Sequence, residues 1–236
     1  MQEVILPHKN HNFHLIHKFG MNEAVGSAEE TVWSQGGLYP WALFDSGAIT
    51  VYARSTSTGD TSGSLELQGL DENYNVQTDT ISLAGQTLVP STKQFTRVFR
   101  ARFRGESHAG ALEVYATNAV NSVNIVAHVP EAQSSSEVAI YTVPRNHIAR
   151  LTSYTVSASK NVEAGIRLKS RRPGQGFVTE SLAEVFQTTL VQVFPKGLQF
   201  KALTDLDFRC VNSATSSSNS TVSVTFNLLI EKGFGA

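Results

Sequence analysis

A single cysteine, Cys210, in 236 residues leaves no partner for an internal disulfide. Charge is sparse as well: Asp, Glu, Lys and Arg supply 17% of the chain, and the formal net charge is −1. So even a balance lacks the basic footprint of a non-specific nucleic-acid binder. No apolar run approaches the ~20 residues that a membrane-spanning helix needs, so neither nucleic acid nor membrane is an expected partner. The chain opens on Met1-Gln2-Glu3 with no apolar stretch behind it, which predicts no secretory leader and synthesis in a reducing compartment. Phosphate-binding loops, dinucleotide fingerprints, nucleophile elbows and HExxH motifs are all missing from the sequence. Asp45, Asp60, Asp71, Asp79, Asp205 and Asp207 fall at turns or strand ends without the pairing of a catalytic dyad. The expectation is a non-enzyme with no catalytic residue, no metal and no cofactor.

What the chain has is alternation. Hydrophobic residues make up 41% of it, and Ser, Thr, Asn and Gln fill the polar positions that charge leaves open, as on strands facing water. Ile49, Val51 and Ala53 alternate with Thr50, Tyr52 and Arg54. Leu65 and Leu67 alternate with Glu66 and Gln68. The last run is the clearest, with Val222, Val224, Phe226, Leu228 and Ile230 set against Thr221, Ser223, Thr225 and Asn227. Turn clusters at Thr58–Gly63, Asp71–Asn73 and Arg171–Gly176 punctuate these runs at sandwich-like spacing. Leu206, Phe208 and Cys210 share one apolar face, which reads as a buried structural thiol. Only Ser181–Leu190 is ambiguous, since Leu182, Val185, Phe186 and Leu190 also suit a short helix.

A polar break from His128 to Glu137 precedes Val138–Ser159, where Val138 and Ile140 face one way and Tyr141 and Val143 the other. Pro144 lacks an N–H and ends that ladder. The reading is all-β: two tandem, jelly-roll-like antiparallel sandwiches with an extended N-terminal arm. Residues 1–47 form the arm and an ordered loop, 48–130 the first sandwich and 138–236 the second.

Three groups of side chains stand out as candidates. His8, His11, His14 and His17 recur at every third residue, a period that suits neither face of a strand. They suggest a shared metal site or, preferably, a subunit-contacting arm, since no thiol or paired carboxylate accompanies them. Removing residues 1–18 is then expected to leave both sandwiches folded. Arg100, Arg102 and Arg104 line one strand face and could dock an acidic partner, or pair with cross-strand carboxylates such as Glu66 or Asp79. Trp33, Tyr39 and Trp41 lie in a glycine-rich loop, where such rings stack on sugars or plug the end of a core.

Four runs carry a resemblance: HKFGMNEAVGSAEETVWSQGGLYPW, GSLELQGLDENYNVQTDTISLAGQT, YTVPRNHIARLTSYTVSASK and FPKGLQFKALTDLDFRCVNS. They resemble a group of virion structural proteins of tailed bacteriophages, common in marine phages. The matching segments are Phe19-Gly20-Met21-Asn22 through Tyr39, ahead of one sandwich, and Tyr141 to Pro144, opening another. Arg145-Asn146 departs from the glycine-lysine usual after that proline. The resemblance implies a virion location, on the capsid as decoration or in the tail. It also implies partners among copies of the chain (a trimer being one such homo-oligomer) and other virion proteins. A carbohydrate- or receptor-binding tail module is the alternative.

Overall fold

The computed structural model describes residues 13–159, 163–212 and 221–233, so His8, His11, Val162 and the serine-rich residues 213–220 lie outside the described residues. Two compact units divide the chain: Met1–Leu38 joins Ala139–Ala236 in one, and Tyr39–Val138 makes the other. The sandwiches are therefore nested rather than tandem. The chain begins one, completes the other, and returns to finish the first.

In the discontinuous unit the N-terminal part supplies β1 (Phe13–Asn22) and a two-residue β2 (Glu30–Thr31). The continuous unit holds β3 (Ile49–Ser55), β4 (Ser64–Leu70), β5 (Val76–Ser82), β6 (Val89–Phe95), β7 (Arg97–Arg104), β8 (Leu112–Tyr115) and β9 (Ile125–Val129). The return supplies β10 (Ile140–Thr142), β11 (His147–Ala158), β12 (Glu163–Arg171), β13 (Val178–Phe186), β14 (Thr189–Phe200), β15 (Asp205–Asn212) and β16 (Val222–Lys232). Every strand pairing is antiparallel.

One sheet of the discontinuous unit runs β1-β16-β11-β14, and the other runs β10-β15-β12-β13 with β2 added beside β15. Following the chain through β1 and then β10 to β16, successive strands switch sheets at every step except β12 to β13. That switching is the wiring of a jelly roll. Between the sheets lie Tyr154, Val156, Leu168, Phe208, Cys210, Phe226 and Leu228, all buried, with Phe208 against Phe226 at 4.9 Å. Cys210 is a buried free thiol as expected, and burial pushes its pKa up, away from the reactive thiolate. Ser181–Leu190 is strand and turn rather than helix, for it ends β13 at Phe186, turns at Gln187-Thr188 and opens β14 at Thr189.

The continuous unit packs the β6-β3-β8-β9 sheet and the β5-β4-β7 sheet around Val51, Leu65, Leu67, Phe95, Ala101, Leu112 and Val114. Of its strands, β3 and β4 show period-two alternation that is plain in the sequence. Pairing and burial agree there because each of the two buries alternate residues on one face.

The N-terminal segment departs most from expectation. From Phe13 onward it is not an arm but a sheet strand, pairing with β16 along its whole length from Phe13↔Glu231 to Asn22↔Val222. Removing residues 1–18 would take the first half of that strand. Its polarity is also inverted, since Lys18, Gly20 and Asn22 turn inward and are buried while Leu15, Phe19 and Met21 turn outward. Gly20 explains part of this. A Cβ there would lie 2.3 Å from the Ala139 nitrogen and 2.4 Å from the Val32 oxygen, so only hydrogen fits beneath the crossing backbone.

Candidate functional surface

The proposed stacking rings are not available to a sugar. Trp33 is 2% exposed, and its indole N–H donates to the Gly37 oxygen at 3.0 Å. Tyr39 and Trp41, which belong to the other unit, are 3% and 4% exposed and meet edge-to-face at 4.7 Å. The Tyr39 hydroxyl donates to the Val98 oxygen at 2.8 Å. The buried Arg97 guanidinium lies 5.6 Å from the Trp41 ring, 5.9 Å from Phe44 and 5.8 Å from Tyr74, so a cation held by the protein already occupies that aromatic cage. These rings plug a core, and the glycan reading loses its platform.

The histidines fare differently. His14 and His17 are exposed on β1, but a three-residue step on a strand puts them on opposite faces. His14 sits across from Ile230 and His17 across from Asn227, so the pair cannot share a metal ion. Among the described residues no group of three or more His, Cys, Asp or Glu is gathered for a metal. Of the arginine stripe, Arg104 reaches Glu66 at 3.0 Å, across the diagonal from Glu66's direct partner Arg102. Asp79 takes none of the three. Its carboxylate instead accepts the Thr92 and Lys93 amides at 2.7 and 2.9 Å and the Thr92 hydroxyl at 2.8 Å.

The outer side of the β10-β15-β12-β13 sheet carries an ion lattice that the sequence reading missed. Asp205 and Asp207, read as turn or strand-end residues, are fully buried in β15, which Asp205 opens. Arg171 binds Asp205 at 3.0 Å and Arg209 binds Asp207 at 2.8 Å, while the Thr142 and Thr31 hydroxyls donate to the same two carboxylates. Register places Arg167 opposite Arg209, a like-charge pair that would repel. Glu29, from the turn before β2, resolves it by reaching Arg209 at 3.0 Å, Lys169 at 3.3 Å and Arg167 at 3.4 Å. Burial alone would raise the Glu29 carboxyl, but Arg209 and Lys169 outweigh it and hold the pKa below the ordinary value. Phe177 lies under two of the cations, 4.4 Å from Arg209 and 5.1 Å from Arg171. In this lattice four cations, Arg167, Lys169, Arg171 and Arg209, share three carboxylates, Glu29, Asp205 and Asp207. Beside it a hollow of about 250 Å³ is bordered by Arg172, Gln175, Gln199 and Lys201. Its one carboxylate, Glu180, accepts from the Ser170 hydroxyl at 2.5 Å.

The outer side of the β1-β16-β11-β14 sheet is the opposite in character. Register defines rows that cross all four strands. One row is His17, Asn227, Ser153 and Val193; the next is Phe19, Thr225, Thr155 and Val191; the third is Met21, Ser223, Ser157 and Thr189. None of these twelve positions carries Asp, Glu, Lys or Arg. The hydroxyl and amide groups satisfy one another sideways: His17 Nδ1 lies 2.8 Å from Asn227 Oδ1. Asn227 Nδ2 donates to Ser153 at 3.1 Å, and the Ser157 and Thr189 hydroxyls are 2.9 Å apart. Large apolar side chains border the face at both edges, with Leu15 at 40% and Phe19 at 38% exposed on β1, and Val191 at 59% and Val193 at 57% on β14. Arg150 and Glu231 pair at one end, 2.9 Å apart. The apolar borders favour being covered.

No protein-family model matches the chain, and no curated protein does. Solved structures give faint likenesses. A structure of infectious bursal disease virus, Gx strain, aligns at 8% identity and a TM-score of 0.28, covering 95% of this chain and 73% of that one. T=1 particles derived from infectious bursal virus align at 11% identity and a TM-score of 0.25, over 98% of this chain and 72% of that one. A mitogen from Yersinia pseudotuberculosis aligns at 10% identity and a TM-score of 0.24, over 42% of this chain and 86% of that one. Likenesses at this level carry no argument about role, and none of these three proteins comes from a tailed phage.

Proposed function

We propose that this chain is a non-enzymatic virion structural protein that acts by symmetric protein–protein assembly, as capsid decoration or as a tail-associated component. The observation that carries the reading is the charge-free outer face of the β1-β16-β11-β14 sheet with its exposed apolar borders. Assembly interfaces are depleted of charge at their centre in this way. Rigid sandwiches presenting a repeatable face suit closed or lattice-like association of many copies.

Sedimentation velocity over a wide concentration range, with electron microscopy of the same samples, tests this. Growth beyond the monomer with concentration, or co-sedimentation with purified virus particles, is the expected outcome. A chain that stays monomeric throughout and binds no particle would sink the reading.

A further inference from the structure

We propose that the charge-free face binds a second copy of this chain about a two-fold axis running along the strands. This rests on the assembly reading and specifies its surface and partner. The argument starts from the order β1-β16-β11-β14. A two-fold axis lying in the plane of contact and parallel to the strands reverses this order while keeping each row level. β1 then lies over the partner copy's β14, and β16 over its β11.

The rows are complementary to their own reversal. Phe19 meets Val191 of the other copy, so the reversal covers one apolar side chain from each border, while His17 meets Val193 and Leu15 meets Gln199. Between them Thr225 meets Thr155, Asn227 meets Ser153 and Ser223 meets Ser157, which places hydroxyl and amide groups against groups able both to donate and to accept. Two further rows form the rim beyond the three charge-free ones, and there Arg150 lies beside Leu229 and Glu231 beside Ile148 of the other copy, with the Arg150–Glu231 ion pair kept within each copy. No like charges oppose each other anywhere on the face. A second copy is favoured over a foreign partner because the three central rows need no charge or donor beyond their own, and because β1 turns Phe19 outward where the reversal sets it on Val191.

Size sets the strength. Four strands ~4.8 Å apart and five rows ~6.8 Å apart span roughly 650 Å², somewhat less than the ~800 Å² per partner of a standard stable interface. Packing of aligned sheets, crossing at about 30°, is the geometry such faces adopt. The expected dimer is concentration-dependent, with dissociation on the order of micromolar.

The experiment uses the full chain in sedimentation equilibrium, with circular dichroism to confirm folding of each variant. Phe19→Lys and Val191→Asp, each alone, are expected to weaken the dimer at least about tenfold, because each sets one charge against an apolar side chain. The Phe19→Lys/Val191→Asp double variant is expected to recover to within about threefold of the parent, since the two new charges face each other across both halves. Thr225→Lys, at the centre of the face, is expected to abolish the dimer. If the parent associates but Thr225→Lys associates equally well, this face is not the surface, while the assembly reading stands. If both single variants dissociate and the double variant stays dissociated, the strand-parallel axis is wrong. A parent chain that is monomeric throughout overturns the dimer, and the assembly reading falls with it only if particles also fail to bind it.

Discussion

Asp60 shows how a single carboxylate can organise a loop. Buried in the continuous unit, it accepts the Ser55 hydroxyl at 2.5 Å and the amides of Ala109 and Gly110 at 2.9 and 3.0 Å. Burial by itself would raise its pKa, but those donors, with His108 nearby, hold it below the ordinary value. His108 continues the clamp, with Nδ1 2.7 Å from the Gly110 oxygen and Nε2 2.6 Å from the Gln133 oxygen. A carboxylate depressed in the folded state contributes stability that is in place above its unfolded pKa of about 4 and drains away as pH falls through the folded value. Asp60→Asn is therefore expected to lose about 2 kcal/mol at pH 7 and to flatten the loss of stability between neutral pH and pH 3. Urea midpoints measured across that range check both effects. The sequence marked Asp60 as a turn residue and no more, because a turn carboxylate's amide partners lie almost fifty residues away along the chain.

At the scale of elements, what could be read in advance depended on whether a strand's burial followed its own alternation. β4, β7 and β16 bury every second residue, so their sidedness was plain from period two. β1 hides its sidedness, since its buried positions are Lys18, Gly20 and Asn22 while Leu15, Phe19 and Met21 face out. The histidine period drew attention to a pattern that the strand splits between its two faces. The ion lattice was hidden for a different reason. Arg171 read as the start of a turn cluster, and only the pairing of β12 with β15 and the arrival of Glu29 reveal the partners of Arg167, Lys169 and Arg171. Glu29→Gln tests that arrangement, for it leaves Arg167 and Arg209 opposed with the carboxylate gone. The expected loss is about 2 kcal/mol, discounted from a fully buried pair because Glu29 keeps some solvent contact. Added salt should shrink the deficit by screening the two arginines, and thermal melts at low and high ionic strength measure it.

For the whole molecule, the all-β class and the two sandwiches were legible, but their nesting was not. Linear alternation shows where strands are and is silent on which strand at one end of the chain will pair with one at the other. The boundary accordingly moves from residue 48 to Tyr39, and the segment up to Leu38 goes to the unit that finishes at the C-terminal side. Nested wiring separates the folding demands of the two units. All strands of the continuous unit lie within one stretch of about a hundred residues, whereas the jelly roll needs contacts that span nearly the whole chain. Since long-range pairing slows folding, pulsed hydrogen exchange during refolding should protect the amides of β4 and β7 before those of β1 and β16. Simultaneous protection of both sets would contradict that order.

The bond between His17 and Asn227 joins residues 210 positions apart. At ~5–20 residues per second of translation, β1 leaves the ribosome roughly 10–40 s before its neighbour exists. Through that interval a ribbon with greasy Leu15 and Phe19 must wait with unpaired backbone, a natural holding point for a chaperone and the moment when a newborn chain is most open to the wrong strand.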